Sequence, residues 1–427
     1  MDSFARGNPP GTPDAPEVYL DNSATTPPLP EVVRAMLTVL QEEYGNPSSL
    51  HRRGRMAAQI LRYSRQSVAD LLRVDPDEIV FTSGGTEANN LALRGVAELA
   101  AGSHRFVHDR PHLITTAIEH PSILEPARYL EQHGWDVTYL PVDREGLIDV
   151  DQLAAACRPT TVLVSTMWVN NEIGSIQPLD EIGATLRRLR EEYRAADRAA
   201  SSGSEVRAYP YWHVDAVQAV GKLVVEPLRL GIDLLTVSGH KIHGPKGVGA
   251  LFIRKGVRIA PLLLGGGQEE GLRSGTENLP GIAGMGEACH LARGLLATLP
   301  AQLWTLRERL WQGIAAAIPQ AYRHGPSDPS RVAPHILSVG FPGTKGEVLV
   351  RYLSDRGVAT ATGSACHSRN PSPSHVLTAI HLPPAEAEGT LRFSLSIQNT
   401  AEQVDRTVKV LKEAVAEVRE LAGWRSA

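Results

Sequence analysis

Asp233-Leu-Leu-Thr-Val-Ser238-Gly239-His240-Lys241 runs directly into Ile242-His-Gly-Pro-Lys-Gly-Val-Gly249-Ala-Leu-Phe-Ile253. An apolar run ends in small, hydroxyl-bearing and basic residues, and a glycine-rich stretch leads into a second apolar run. This pattern predicts a buried strand that presents one amine beside an anion site. A lysine in such a dry setting has a lowered pKa and is suited to forming a Schiff base. Ser238 and His240 would hold a phosphate next to it. A solvated lysine in a surface turn is the ordinary alternative, and the rest of the chain decides between them.

Further apolar, strand-like runs alternate with helical patterns: Glu78-Ile-Val-Phe-Thr, His112-Leu-Ile-Thr-Thr, Val137-Thr-Tyr-Leu-Pro, Thr161-Val-Leu-Val-Ser and Tyr211-Trp-His-Val-Asp precede the two quoted runs. Seven such runs predict an α/β fold around a mostly parallel sheet with flanking helices, filling a large domain over 33–299. Helices are expected around Ala283 to Leu299 and from Leu306 to Ala317. Val332-Ala-Pro-His-Ile-Leu-Ser-Val, Val358-Ala-Thr-Ala-Thr, Thr390-Leu-Arg-Phe-Ser-Leu and an amphipathic helix from Ala401 to about Leu421 then predict a smaller α+β domain over 300–427. Residues 1–17, with Gly7-Asn-Pro-Pro-Gly-Thr-Pro-Asp-Ala-Pro, read as a disordered leader. The Ala/Arg/Ser/Gly-rich stretch from Glu191 to Ala208 reads as a surface loop extending a helix.

The 427 residues carry a formal charge of -4 with 21% charged residues, which gives no basic excess to argue for nucleic acid. No apolar run approaches the roughly 18 residues of a membrane span, and the N-terminus lacks a basic region followed by an apolar core. The expectation is a cytoplasmic protein acting on small molecules or other proteins. The three cysteines, Cys157, Cys289 and Cys366, have no CxxC spacing and suggest neither a disulfide framework nor a zinc ribbon.

Thr82-Ser-Gly-Gly85-Thr86-Glu follows one strand and opens a helix, so freed backbone N–H groups and the helix N-terminus form an anion nest. A capped turn without a ligand is the plainer reading of that motif alone. His213-Val-Asp215-Ala-Val-Gln218 ends another strand, where a carboxylate can face a protonated ring nitrogen; an Asp capping the next helix is its plainer reading. Glu119-His120-Pro ends a third strand, and its imidazole could stack on a ring and relay protons; a merely structural strand-end histidine is its plainer reading. A phosphate nest, a carboxylate for a pyridinium and a Schiff-base lysine together form the set that pyridoxal 5'-phosphate requires.

Leu20-Asp-Asn-Ser-Ala-Thr-Thr-Pro, Gly45-Asn-Pro-Ser-Ser, Thr82-Ser-Gly-Gly-Thr-Glu, Glu119-His-Pro, Val169-Asn-Asn-Glu-Ile-Gly, His213-Val-Asp-Ala-Val-Gln, Ser238-Gly-His-Lys and Arg273-Ser-Gly-Thr-Glu-Asn resemble, in order, the motifs of the cysteine desulfurases, fold-type I, class V pyridoxal-phosphate enzymes. The resemblance implies that Lys241 carries the cofactor, His120 stacks on its ring, Asp215 pairs with its nitrogen, and Gln218 and Asn171 lie near its phenolic oxygen. Gly85, Thr86, Ser238 and His240 would cradle the phosphate. Thr276 would reach the phosphate of a partner subunit, which implies a homodimer, and residues 18–32 would pack with the small domain. Arg392, in Thr-Leu-Arg-Phe-Ser, would clamp the substrate carboxylate, with Asn171 nearby; a surface ion pair is the plainer reading of that arginine.

Cys366 lies in Thr362-Gly-Ser-Ala-Cys-His-Ser-Arg-Asn-Pro-Ser-Pro-Ser374, where glycine, serine and proline on both sides predict a mobile, exposed loop. The family places its sulfur-accepting cysteine at this Gly-Ser-Ala-Cys. The implied reaction converts L-cysteine to L-alanine through a Cys366 persulfide, and sulfur then passes to an acceptor such as an iron–sulfur scaffold protein. Lys241, Cys366 and His120 would be its catalytic residues. Selenocysteine lyases and class V aminotransferases share the fold and stand as alternatives, as does a non-catalytic cofactor-bearing scaffold. His240, His243, Cys366 and His367 are metal-ligand types, but they form no convincing four-ligand set, and no metal is expected. Two stretches depart from the family pattern: Glu270 stands where an arginine is usual, and Ser396-Ile-Gln-Asn-Thr replaces a Gly-Arg pair.

Overall fold

The computed structural model describes residues 16–101, 109–200, 209–363 and 374–424. The predicted leader therefore lies almost wholly outside the described residues, as does Cys366 with His367.

The chain opens with a short strand, β1 (Val18–Tyr19), and two helices, α1 (Pro30–Gln41) and α2 (Arg52–Leu72). The large unit then alternates β2 (Ile79–Thr82), α3 (Gly85–Ala101), β3 (His112–Thr116), α4 (Pro121–Gln132), β4 (Asp136–Leu140), α5 (Val150–Ala156), β5 (Thr161–Met167), α6 (Leu179–Ala200), β6 (Tyr211–Asp215), α7 (Pro227–Leu230), β7 (Leu234–Ser238), β8 (Gly249–Ile253) and α8 (Leu279–Leu295). These strands form one seven-stranded sheet in the order β2-β8-β7-β6-β5-β3-β4. Only β8 runs against its neighbours; the other pairings are parallel. The predicted mostly parallel sheet is thus observed. Residues 191–200, expected in a surface loop, continue α6 instead, and 201–208 lie outside the described residues.

Side chains alternate across the sheet with the period of two that a strand imposes. Phe81, Val214, Leu235, Val237 and Phe252 enter one apolar layer with α2, α6 and α8. Val80, Leu234, Leu251 and Ile253 enter the opposite layer with α3 and α4. Both faces are covered, which is why the strands read as continuous apolar runs. A third cluster lies in the C-terminal part, built on α9 (Leu299–Ala317), β10 (Ile336–Gly340), α10 (Gly346–Asp355), β11 (Val358–Ala359), β12 (Thr390–Ser394) and α13 (Ala401–Leu421), with β9 (Tyr322–Arg323) at its sheet edge, whereas Val376 and Leu377 of α11 (His375–Ala379) and Ala387 of α12 (Pro384–Ala387) pack with the first layer. There β9, β10 and β12 make an antiparallel sheet, and β11 pairs in parallel with β1. Val18 and Leu20 belong to this third cluster.

Of the two departures from the family pattern, Glu270 makes no hydrogen bond or ion pair among the described residues, and it is its neighbour Glu269 that holds the turn. Glu269 and Glu270 adopt φ of +48° and +55°, a conformation that non-glycine residues seldom take. The Glu269 carboxylate holds the turn by accepting from Arg65 at 2.6 and 2.8 Å and from the Phe81 N–H at 2.8 Å. In the other departure, Asn399 accepts from the Ser396 N–H and donates to the Tyr19 carbonyl, and Thr400 caps α13 in a capping box with Gln403.

At the N-terminal end of β7, Asp233 is fully buried. Its carboxylate accepts from Arg190 of α6 and from the Trp212 N–H of β6 at 2.8 Å, and pairs with Arg254 after β8 at 2.5 Å. Removing one member of a buried ion cluster strands the remaining charges. Asp233→Ala should therefore lower stability by about 3–5 kcal/mol, measured by urea unfolding; a loss below about 1 kcal/mol would contradict this account.

Candidate active site

The parallel strands end at a common edge, where open α/β sheets bind their ligands. The register brings Thr82 of β2 and Ser238 of β7 opposite Gly249 at the start of β8. A Cβ on Gly249 would lie 2.7 Å from the Gly84 backbone, so only glycine lets the turn after β2 settle on β8. Gly84 has φ +151°, and Gly85 opens α3 with room for a Cβ only 3.1 Å from Val217 and 3.6 Å from Ser238. The α3 N-terminus and the Ser238 hydroxyl are thereby packed together. Ser238 Oγ is buried without a hydrogen-bond partner among the described residues. Thr86 is exposed at the start of α3, and with His120, Arg94 and Tyr129 it lines a cleft of about 440 Å³.

Lys241 follows β7 in a single 3-10 turn, Gly239–Lys241. Its Nζ donates to the carbonyls of Ser23 at 2.5 Å and Ala24 at 2.7 Å. Gln218 Nε2 donates to the same Ser23 carbonyl at 3.0 Å, which brings Gln218 and Lys241 to one point. Behind the turn, the buried Lys222 donates from Nζ to the Lys241 carbonyl at 2.6 Å; burial, with Lys241 adding repulsion, lowers its pKa to about 7. His240 donates to or accepts from Thr25 Oγ1 at 3.2 Å. Burial and then the nearby Lys241, Lys246 and Lys222 lower its pKa to about 4, so its imidazole is neutral at ordinary pH.

Asp215 ends β6, nearly buried. Its Oδ1 accepts from the Val217 N–H at 3.0 Å and its Oδ2 from Asn89 Nδ2 at 2.8 Å. His120 is the N-cap of α4, and burial is the main cause that lowers its pKa. Arg392, on β12, donates to Asp21 Oδ1 at 2.7 Å and to the Asn171 carbonyl at 3.0 Å, while its Nε has no partner among the described residues. Thr276 is exposed, on the loop that Arg273 ties to Glu87 of α3 at 2.9 Å.

Three parts of the site carry no signal that motif reading could weigh. The Ser23 and Ala24 carbonyls act through the backbone. Glu119 is fully buried; its Oε1 accepts from Thr116 Oγ1 at 2.7 Å and the Met167 N–H at 2.8 Å, and burial pushes its pKa up to about 8. Glu172 is buried between the two flanks of the Cys366 segment. Its Oε2 accepts from Ser374 Oγ at 2.5 Å, a Cβ on Gly363 would approach it to 2.6 Å, and burial pushes its pKa up to about 7. Both glutamates stand inside quoted motifs, but only the fold shows that they are buried. Cys157 and Cys289 behave as packing residues: burial pushes both thiols up to about 12. Among the described residues no His, Cys, Asp or Glu cluster could hold a metal.

The class-V aminotransferase family model matches residues 18–407. Cysteine desulfurase IscS of Dictyoglomus turgidum is 42% identical over 96% of this chain and 97% of its own length. A cysteine desulfurase of Trichormus azollae is 43% identical over 96% and 97%. Among solved structures, a NifS-like protein superposes with a TM-score of 0.83 at 37% identity, covering 94% of this chain and all of its own. SspA in complex with cysteine gives 0.72 at 34% identity, covering 88% and 98%. Fold and site thus define a class-V aminotransferase-type protein; the chain belongs to that family and, within it, to the cysteine desulfurases.

Because Glu119 has a folded pKa raised above that of the unfolded chain, the native state holds a proton that the unfolded state releases. Its stabilising contribution is complete below the ordinary carboxyl range and is lost as pH rises through about 8. Glu119→Gln should keep the acceptor for Thr116 and Met167 and remove this titration. Denaturant unfolding at about pH 5 and about pH 8 should show a smaller loss of stability for Glu119→Gln than for the parent protein; equal losses would count against a protonated Glu119.

Proposed function

We propose that this protein is a pyridoxal-phosphate-dependent cysteine desulfurase that converts L-cysteine to L-alanine and leaves the sulfur on Cys366. The observation that carries the reading is the meeting of Lys241, Asp215, Gln218 and the Gly84–Thr86 turn at one sheet edge. The residues fit the cofactor: a turn held open by Gly249, the unpartnered Ser238 hydroxyl and the α3 N-terminus suit its phosphate. When bound, pyridoxal phosphate supplies an electron sink for bond breaking at the amino acid's α-carbon.

Lys241 holds the cofactor and then serves as the base that removes the α-proton. Asp215, an acceptor on both oxygens, holds a proton on the facing ring nitrogen. Gln218 and Asn171 would serve the cofactor's phenolic oxygen, Thr86 and His240 would join Ser238 in holding its phosphate, and Thr276 of each chain would serve the site of a second copy in a homodimer. Arg392 takes the substrate carboxylate in a bidentate pair, its Nε being the donor left unused by Asp21 and Asn171. His120 would stack on the cofactor ring and handle a proton at the substrate. The Cys366 thiolate attacks the substrate sulfur: the new S–S bond forms as the C–S bond breaks, its electron pair stays with carbon, and a proton completes alanine. The persulfide sulfur then passes to an acceptor protein such as an iron–sulfur scaffold. Among the described residues no helix is long and apolar enough to cross a membrane, which is compatible with a cytoplasmic site of action.

Lys241→Ala should lose the visible absorbance of the bound cofactor, with alanine formation from L-cysteine falling by at least about 10²-fold. Cys366→Ser should retain that absorbance and lose sulfide release in the presence of a reductant. Full sulfide release by Cys366→Ser would overturn the persulfide route. Preference for selenocysteine, or amino-group exchange with keto acids, would move the assignment to the neighbouring activities of the family.

A further inference from the structure

A chain of hydrogen bonds joins His120 to Asp215 through Ser122 and Asn89, the latter already seen to hold Asp215. Asn89 Nδ2 donates to Asp215 Oδ2 at 2.8 Å and to Ser122 Oγ at 2.8 Å. Ser122 Oγ lies 2.8 Å from His120 Nδ1, and the Ser122 backbone N–H meets the same nitrogen at 3.1 Å. Asn89 is almost fully buried and Ser122 nearly so, so water does not compete for these bonds.

The donors and acceptors can be arranged in one way only. A backbone N–H can only donate, so His120 Nδ1 presents its lone pair. Both hydrogens of the Asn89 amide are used, one on a carboxylate and one on Ser122 Oγ. That oxygen, already accepting, sends its own hydrogen to Nδ1. A neutral imidazole whose Nδ1 accepts carries its proton on Nε2. Other groups acting on the ring are Asp215, Lys241 and His375; His375 is engaged through Nε2 with the Glu119 carbonyl at 2.9 Å.

We propose that Asn89 and Ser122 are positioning residues that lock His120 in the Nε2–H tautomer, so that in the resting protein it faces the substrate as a proton donor. This rests on the desulfurase reading and sharpens it, since that reading leaves the direction of proton transfer at His120 open. The same relay holds Asp215 Oδ2 as an acceptor, which couples the residue proposed to serve the ring nitrogen to the one proposed to stack on the ring.

The test is the distribution of the His120 proton, read from ¹⁵N spectra of the histidine-labelled holoenzyme without substrate, with the resonance assigned by its loss in His120→Gln. The parent and Ser122→Thr should show Nδ1 unprotonated. Ser122→Ala removes the shorter hydroxyl contact and leaves Nδ1 only the longer backbone donor at 3.1 Å, so it should show a measurable Nδ1–H population and a kcat about tenfold lower, the worth of one hydrogen bond, with KM within about twofold and turnover restored by Ser122→Thr. Asn89→Leu cuts the relay at its other end and should give the same change; it decides the matter if Ser122→Ala does not fold. A predominantly Nδ1–H ring in the parent, or a variant folded with either its proton distribution or its turnover unchanged, overturns the proposal. A parent that makes no alanine from L-cysteine would defeat the desulfurase reading instead, and the proton distribution would then decide the tautomer assignment alone.

Discussion

The Asp233 carboxylate is the constraint on which the geometry of the sheet edge depends. It stands at the first residue of the decisive stretch, in the dry interior, and it gathers three elements: Arg190 from α6, the Trp212 N–H from β6 and Arg254 from the end of β8. A buried carboxylate tolerates that position only if its charge is met. Satisfying it ties β6 and β8 to β7 at the N-terminal end. Five residues on, the same three strands deliver Asp215, Ser238 and Gly249 to one place at the other end. A slip of one residue in β7 would turn Ser238 to the opposite face and take the hydroxyl away from the Gly84–Gly85 turn. The ion cluster and the site are two ends of one register.

Beyond the strand ends, burial limits charge in the same way. Burial shifts an imidazole and two carboxyls of the site toward their neutral forms: the pKa of His240 to about 4, of Glu119 to about 8 and of Glu172 to about 7. Lys222 adds a buried amine behind Lys241. The Asp215 carboxylate at the same edge is oriented by Asn89 and the Val217 N–H. An acceptor held in this way is suited to a positive charge on a ligand, since among the described residues no cation forms an ion pair with it.

The seven strands and their ends are legible in the sequence because each strand is buried on both faces and so reads as an unbroken apolar run, closed by residues that apolar packing would not choose. Lys241, Asp215 and His120 all lie at such ends, and local patterning is enough to find them. The Ser23 and Ala24 carbonyls are out of reach because backbone atoms leave no mark in composition. Asn89 is visible only as a polar residue in the first turns of a helix; its bonds to Ser122 and Asp215 span 33 and 126 residues, and no local period encodes such a pairing. The helical run of 191–200 escapes patterning because Glu191, Glu192 and Arg198 are exposed and the stretch offers charge and alanine instead of an apolar stripe. The segment bearing Cys366 lies outside the described residues, so its reading still rests on sequence.

The N-terminal segment is where the two halves of the chemistry meet. Val18 and Leu20 are packed into the C-terminal cluster, and Asn22 donates to the Ser394 carbonyl at 2.8 Å. Between them Asp21 holds Arg392, and the carbonyls of Ser23 and Ala24 hold Lys241. A substrate carboxylate arriving at Arg392 would compete with Asp21 for the guanidinium, and cofactor arriving at Lys241 would take its Nζ from Ser23 and Ala24. Both events release contacts on the same four-residue stretch, Asp21 to Ala24. Gln218, which also holds the Ser23 carbonyl, is then the remaining side-chain contact of that residue's carbonyl with the large sheet, and it keeps the stretch in place while its other partners are exchanged.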